Sequence, residues 1–569
     1  MSDLVLPDGS YFSVIGNVRI GAGGQTRLAM LRHRLFRTHA GVELPIVTYN
    51  PVPTYEPIRA EMRRTGQLMD DSPLINLHED LRVRDLTGLP TAEVAASSGS
   101  FADEVEDGYA WRRQSGDVWE FLRPDGSLYA RTPPTHVDGQ VAIFDQDERP
   151  VGSWPTLGGL WRWWTRQIIP AEGRVFLISD SRFVADELGL LDDPRIHLMH
   201  QMHNPHLTGA RVWSSPVSES YKSSMDHIRR YDGLLSLTER QRDDIALRYG
   251  ATNNLFVVPN PVEPVPEPDP LPVRRPHAIA MIARLDGQKR IDRAIEAFDL
   301  VAAAVPEATL DVYGDGELRD ELKARIDAAR HGERMTLHGH DPHAREALWT
   351  ASLFWLTSDF EGYPLSTLEA MSHGVPVVSM DMPYGPREQI TDGVDGGLVP
   401  FGDVDALANR TVELLGSDLE PMRTAARAKA ADHDHRRFLA DWQHVLEKVV
   451  ELKVSRVQPR SHWSVALDQG DDPVTVRGQL ELIGAGDDVE LVAQAWAPND
   501  PAVVTIPLHV ESDLSFAGTL SRAEIPANGQ LRVGYVWRNA AEFVPIPASV
   551  RRSARSVIGA ALRRTGLRK

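Results

Sequence analysis

Two glutamates, Glu361 and Glu369, stand eight positions apart in the stretch SDFEGYPLSTLEAMSHGVPVVSMD, residues 358–381. Glu361 follows an apolar run, 353–357, and precedes Pro364, which suits the first position of a helix. Glu369 falls about a turn and a half into that helix, and Gly374 suits its exit. One carboxylate therefore lies in a strand-end loop, and the other reaches the same place from the helix flank. The loop and first turn between them are Gly362, Tyr363, Pro364, Leu365 and Ser366. Backbone amides over 364–366 point outward there and favour an anion. In IARLDGQKR, Arg284 and Lys289 follow another strand, where the two cations can grip a diphosphate. In GAGGQTR, Gly23 and Gly24 lack side chains that would keep backbone amides from a phosphate. Taken singly, the glutamates read as a solvated face and the cations as a surface pair. Their joint presence, in this order along the chain, is what points to a site.

The elements that must hold these residues are α/β in type. YFSVIGNVRI (11–20) reads as a strand, the glycine loop opens a helix, and VELPIVTYN is a second strand: the β-loop-α-β start of a doubly wound domain. RVFLISD, IHLMHQMH, GLLSLT and LFVVPN continue that domain to residue 260. Between about residues 100 and 155, short alternating runs broken by PDG and SGD turns predict an antiparallel β insertion. The proline-dense segment 261–276 reads as a linker. A second α/β series, 277–437, starts with HAIAMIARL and a helix carrying Ile291, Ile295 and Phe298, and runs through ATLDVYGDG, RMTLHGH, LFWLTSD and VPVVSMD. A closing helix is expected over 438–453, and alternation over 460–548 predicts a β-sandwich. Two parallel sheets joined by a linker leave a cleft, with ligands expected at the carboxyl ends of the strands.

The E-x7-E spacing, the preceding R-x4-K and the N-terminal glycine loop resemble the retaining GT-B glycosyltransferases of family 4. YGPREQITDGVDGGLVP (384–400) resembles the version found in α-glycosyltransferases of wall teichoic acid and of serine-rich adhesins, which also carry a β insertion. HNPHL (203–207) falls where that family keeps an active-site histidine, and the likeness covers roughly residues 11–453. It implies a GT-B fold of two Rossmann-like domains. It further implies transfer of a hexose or N-acetylhexosamine from a UDP-sugar, with retained configuration, to a hydroxyl of a cell-wall polymer or glycoprotein. In such a site Glu361 would bind donor-sugar hydroxyls and Glu369 the ribose. Arg284 and Lys289, with Gly23 and Gly24, would hold the diphosphate without metal or further cofactor. His206, or else His203, would contact the sugar or the attacking hydroxyl. Insertions of this kind mediate trimers in the family, so a homo-trimer is among the assemblies the resemblance allows.

Composition agrees with a large globular protein: 569 residues with 42% hydrophobic and 25% charged side chains exceed one ordinary core. The net charge of -19 argues against a general nucleic-acid binder. The lack of cysteine, of a signal peptide and of an apolar spanning run predicts a cytoplasmic location. The last residues, 549–569, end in RRSARSVIGAALRRTGLRK, where Val557, Ile558, Ala561 and Leu562 form one apolar stripe among six arginines and a lysine. This reads as an interfacial helix for the anionic inner leaflet, set against a plain solvated terminus. A second class of function also fits an all-β appendage: a non-catalytic GT-B partner that binds glycan or stabilises an active subunit. Its members tend to lose the motif that is intact here.

Overall fold

A computed structural model describes residues 4–546, apart from 19–22, 88, 95–100, 107–108, 135–138, 264, 454–459, 469–472, 484–488, 512–514, 527–528 and 538–539. Strand Ser10–Ile15 is buried from its second residue onward, as expected of a run enclosed on both faces rather than alternating. It lies inside a seven-stranded sheet whose neighbours all run parallel. Ser10–Ile15 pairs with Val175–Ser179 on one side and Ile46–Thr48 on the other, so the chain reverses its winding direction at this strand. The second parallel sheet has six strands, and Ala278–Ile282 plays the same part there, between Thr309–Tyr313 and Leu353–Leu356. Each reversal opens a crevice at the strands' carboxyl ends. Helix Gly24–Ala40 follows the strand at one crevice; Arg284, Lys289 and Glu361 leave from the other.

Two elements bind the halves into one body. The closing helix, His435–Lys453, begins three residues before the expected 438 and returns to the first sheet. There Phe438, Trp442, Leu446 and Val449 pack with Phe36, Phe176 and Met199. Burying each such side chain stabilises the fold by roughly 1.5–3 kcal/mol. The expected linker is anchored at both ends: Val262 N–H donates to His433 O at 2.9 Å, and Arg274 donates to carbonyls of Ala351 (2.8 Å) and His373 (2.6 Å).

The β insertion is a six-stranded antiparallel sheet from Ala102–Glu106 to Pro150–Trp154. Its Trp111, Phe121 and Tyr129 enter the first half's core beside Leu77 and Trp164. The C-terminal appendage is a sandwich of two four-stranded antiparallel sheets around Val476, Phe516, Leu491 and Tyr535. No helix among the described residues is long and apolar enough to cross a membrane. The basic stretch 549–569 lies outside the described residues.

Candidate functional site

Past strand Leu353–Leu356 the chain is stitched to the turn that follows Ala278–Ile282. Thr357 Oγ1 donates to Lys289 O (2.9 Å), Asp359 N–H to Gln288 O (2.8 Å) and Gln288 Nε2 to Phe360 O (3.0 Å). This seam brings Lys289 Nζ to 2.7 Å from Glu361 Oε1, which also accepts from Ser358 Oγ at 2.7 Å. Glu361 keeps only 6% of its surface, so its charge is held by these partners rather than by water. Its carbonyl accepts the N–H of Tyr384 at 2.9 Å, which fixes the backbone as well. Arg284 stands on the same rim, open to solvent and paired with Asp286 at 2.7 Å.

The helix after the loop spans Leu365–Ser372, with Pro364 as its extended N-cap. Pro364 was expected at the first helical position; its ψ of 121° places it one residue earlier. Proline carries no N–H, so the outward amides are those of Leu365, Ser366 and Thr367, not of 364–366. No side chain caps this terminus, and none caps the start of helix Gly24–Ala40. The two ends face each other: a Cβ on Gly24 would lie 3.8 Å from Leu365 Cδ1. Two positive helix termini across a cleft suit an anion between them.

Glu369 sits on the helix flank beneath. Arg27, from the first turn of Gly24–Ala40, donates to its Oε1, and Arg345 approaches the same oxygen at 2.9 Å. Arg27 lies within the GAGGQTR motif, but nothing in the sequence marks Arg345. Gly362 is required by close approach: a Cβ there would come 2.0 Å from His203 O of the opposite half. Tyr363 is buried, with its ring hydroxyl against His433 and its carbonyl accepting from Asn260 Nδ2 at 2.9 Å. It supports the loop from behind.

The two histidines part company. His203 Nε2 lies 2.8 Å from Asp180 Oδ1, and Asp180 forms an ion pair with Arg32 that is sealed from solvent on both sides. Arg32 also donates to Gln201 (2.8 Å) and Ser13 (2.9 Å). Burial pushes the Asp180 carboxyl up, yet Arg32 and His203 outweigh it and hold it below the usual range. The Asp180 carboxylate thereby orients the His203 ring through Nε2. His206 is wholly enclosed, and neither ring nitrogen has a partner among the described residues. Burial, with Arg248 nearby, pushes its pKa down to about 3, so the ring is neutral. It lies parallel to Tyr384, centroids 6.2 Å apart. Tyr384 in turn donates to Asp244 across the cleft at 2.9 Å. Asp180, Arg32 and Tyr384 were missed as site residues because their partners lie far away in the chain.

Among the described residues no cluster of His, Asp and Glu could hold a metal ion. Positive charge at this cleft comes from Lys289, Arg284, Arg27, Arg345 and the two helix ends.

Residues 269–432 match the family model described as "Glycosyl transferases group 1". This segment is a group 1 glycosyl transferase domain. It contains Arg284, Lys289, Glu361 and Glu369. The chain is 28% identical over 258 residues to a poly(glycerol-phosphate) alpha-glucosyltransferase of Bacillus subtilis (strain 168), covering 45% of this chain and 38% of that protein. It is 28% identical over 234 residues to a poly(ribitol-phosphate) alpha-N-acetylglucosaminyltransferase of Staphylococcus aureus (strain COL), covering 41% and 45%. The chain thus spans less than half the length of either relative. S. aureus TarM, solved with fondaparinux, alpha-GlcNAc-glycerol and UDP, superposes with a TM-score of 0.62 at 19% identity, covering 77% of this chain and 100% of that one. A pneumococcal O-GlcNAc transferase GtfA with UDP and GlcNAc gives 0.58 at 18%, covering 78% and 99%. Around the group 1 domain, then, the fold is GT-B.

Proposed function

We propose that the protein is a retaining glycosyltransferase that moves a hexose or N-acetylhexosamine from a UDP-sugar to a hydroxyl of a teichoic-acid-like polymer or a glycoprotein. The observation that carries this reading is the facing pair of uncapped helix ends, flanked by Lys289–Glu361 on one side and Arg27–Glu369–Arg345 on the other. The diphosphate lies between the helix ends, held by amides after Gly23, Gly24 and Pro364 and by Arg284 and Lys289. Glu369 binds the ribose hydroxyls, displacing an arginine, and Glu361 binds hydroxyls of the donor sugar. Gly362, Tyr363, Leu365 and Ser366 shape the pocket between them. Of the two histidines we favour His203 at the sugar, since His206 is enclosed and stacked on Tyr384.

The acceptor oxygen attacks C1 on the face the phosphate leaves. The C1–O bond to the phosphate breaks as the new C1–O bond forms, and the acceptor's proton passes to the departing phosphate oxygen. Attack and departure on one face retain the configuration. The relatives named for poly(glycerol-phosphate) and poly(ribitol-phosphate), and the UDP in the superposed structures, support the donor and acceptor classes. The test is UDP release from UDP-glucose, UDP-N-acetylglucosamine and UDP-galactose, with and without a polyol-phosphate acceptor. Acceptor-stimulated release with an α-linked product is expected; no release from any donor would sink the reading.

The basic stretch 549–569 supports a further reading, reversible attachment to an anionic membrane surface at roughly 1 kcal/mol per basic residue. Sedimentation with anionic liposomes at low salt should retain the full chain and lose a chain ending at residue 548. Equal sedimentation of both would remove the tail as the anchor.

A further inference from the structure

The C-terminal sandwich lies far from Glu361 in the chain, yet a continuous set of contacts joins them. The intermediary is the loop after His206, closed on itself by the Leu207–Val217 bridge and by Thr208 N–H donating to Pro216 O at 2.9 Å. On one flank this loop is bound to the sandwich. Trp213 Nε1 donates to Pro501 O (3.0 Å), Ser214 Oγ to Asp500 O (3.0 Å) and Ser215 Oγ to Asn499 Oδ1 (3.2 Å). Arg532 of the sandwich locks the contact. Its guanidinium lies 5.4 Å from the Trp213 ring centroid, 5.1 Å from Trp496 and 4.1 Å from Phe543. It also donates to Gln494 (2.7 Å) and to the carbonyls of Leu247 and Arg248.

On the other flank the loop reaches the donor side. Arg211, at its tip, donates to Asp359 O and lies over Phe360, 5.0 Å from its centroid. Asp359 and Phe360 directly precede Glu361. The Asp359 side chain is held separately, by Arg290 at 3.2 Å and Arg293 at 2.8 Å. Arg211 has φ +50° and Asn499 φ +61°, a left-handed backbone that persists in non-glycine residues only where surrounding contacts impose it. Arg211 belongs to the loop and meets the donor side, while Asn499 belongs to the sandwich and meets Ser215, so the loop is braced on both flanks.

We infer that the sandwich is a positioning module: through Arg532 and Trp213 it fixes the 207–217 loop so that Arg211 holds Asp359 and Phe360, and with them Glu361, in place. Arg211 is a positioning residue, since it touches the loop backbone and the Phe360 ring. This rests on the reading of Glu361 as a donor-sugar ligand only for its effect on turnover; the mechanical claim stands apart from it.

The full chain is tested as Arg211→Ala, Arg532→Met and the double variant. Hydrogen exchange at amides 359–362 is the readout that does not depend on activity. Faster exchange is expected in both single variants, by roughly tenfold for Arg211→Ala, with no further rise in the double variant because the two act in series. In donor turnover, Arg211→Ala should lower kcat by about tenfold, the loss expected of a slightly misplaced reacting group, and leave the Kd for UDP near that of the wild type. Arg211→Lys restores the charge without the planar stack over Phe360 and should recover only part of the loss. Unchanged exchange at 359–362 in folded Arg532→Met protein would overturn the coupling, and the sandwich would then be a passenger. Altered exchange in a protein that turns over no UDP-sugar would leave the positioning claim standing and remove the activity reading.

Discussion

The two rims of the cleft solve opposite problems. On the group 1 side, acidic groups meet cations that a ligand can replace: Lys289 on Glu361, and the half-exposed Arg27 and Arg345 on Glu369. On the N-terminal side, the Arg32–Asp180 pair is closed to solvent, and its outlet is the imidazole of His203. The first rim stores exchangeable partners and the second stores geometry. Mutations should therefore divide between them, with binding and turnover failing on one rim and folding on the other.

The largest effect is expected on the sealed rim. Arg32→Met leaves Asp180 buried and anionic, with the His203 contact as its remaining side-chain partner, which costs about 3–5 kcal/mol of stability. Urea unfolding should show it. The double change Arg32→Met with Asp180→Leu should recover most of the loss, because no orphan charge remains. A single variant as stable as the wild type would mean that solvent reaches this pair, and the contrast between rims would collapse.

Next comes the exchangeable rim. Glu361→Ala should lower acceptor-stimulated UDP release by about 100-fold or more, near the loss seen when a preorganised polar contact is removed. Its thermal midpoint should fall less than that of Arg32→Met, since the partner left behind, Lys289, keeps some access to water. Loss of fold together with activity would place Glu361 with the sealed group.

These two residues also show what a sequence exposes. Glu361, Glu369, Arg284 and Lys289 were legible because each lies in or just after a strand-end loop, and parallel α/β sheets bring such loops to one crevice. The strands were legible as enclosed apolar runs, and the sandwich through its alternation. Asp180, Arg32 and Arg345 were not, since they become site residues only when strands and helices distant in the chain meet: Arg32 reaches Asp180 across 148 positions. Burial also reorders the histidines. His203 and His206 look alike in HNPHL, and only packing shows one beside a carboxylate and the other against Tyr384. The Pro364 displacement of one residue is a boundary effect, since helix ends are defined only to within a residue or two.

Between the rims lies a seam with its own pH dependence. Asp244 accepts from Tyr384, and burial pushes its pKa up to about 6, with that hydrogen bond only partly offsetting the shift. A carboxyl whose folded pKa exceeds its unfolded value, about 3.9, binds more protons when folded. Its stabilisation is therefore full below about pH 4 and lost as the pH rises through about 6. Asp244→Asn, a neutral mimic, should match the wild type near pH 4 and exceed it by roughly 2–3 kcal/mol near pH 7.5. Calorimetric midpoints across that range decide; a constant offset at every pH would show that Asp244 does not titrate in the seam.

The smallest effect should be at Glu369. Its Oε1 is shared by Arg27 and Arg345, and on the proposed reading a ribose replaces at least one of them. Glu369→Gln removes the charge but keeps an oxygen that can accept and adds an amide that can donate. A hydrogen bond to a charged acceptor contributes about 1 kcal/mol more than one to a neutral acceptor, so UDP binding should weaken. The same change also frees the arginines from a pair that competes with the ribose, which returns part of the loss. The net expectation is a rise in the Kd for UDP of about three- to tenfold, with kcat nearly unchanged, because the contact is the same in ground and transition states. Titration calorimetry with UDP measures the first and steady-state release the second. If Glu369→Gln tightens UDP binding, the ion pair with Arg27 outweighs the ribose contact, and the group 1 rim is held shut rather than poised for exchange.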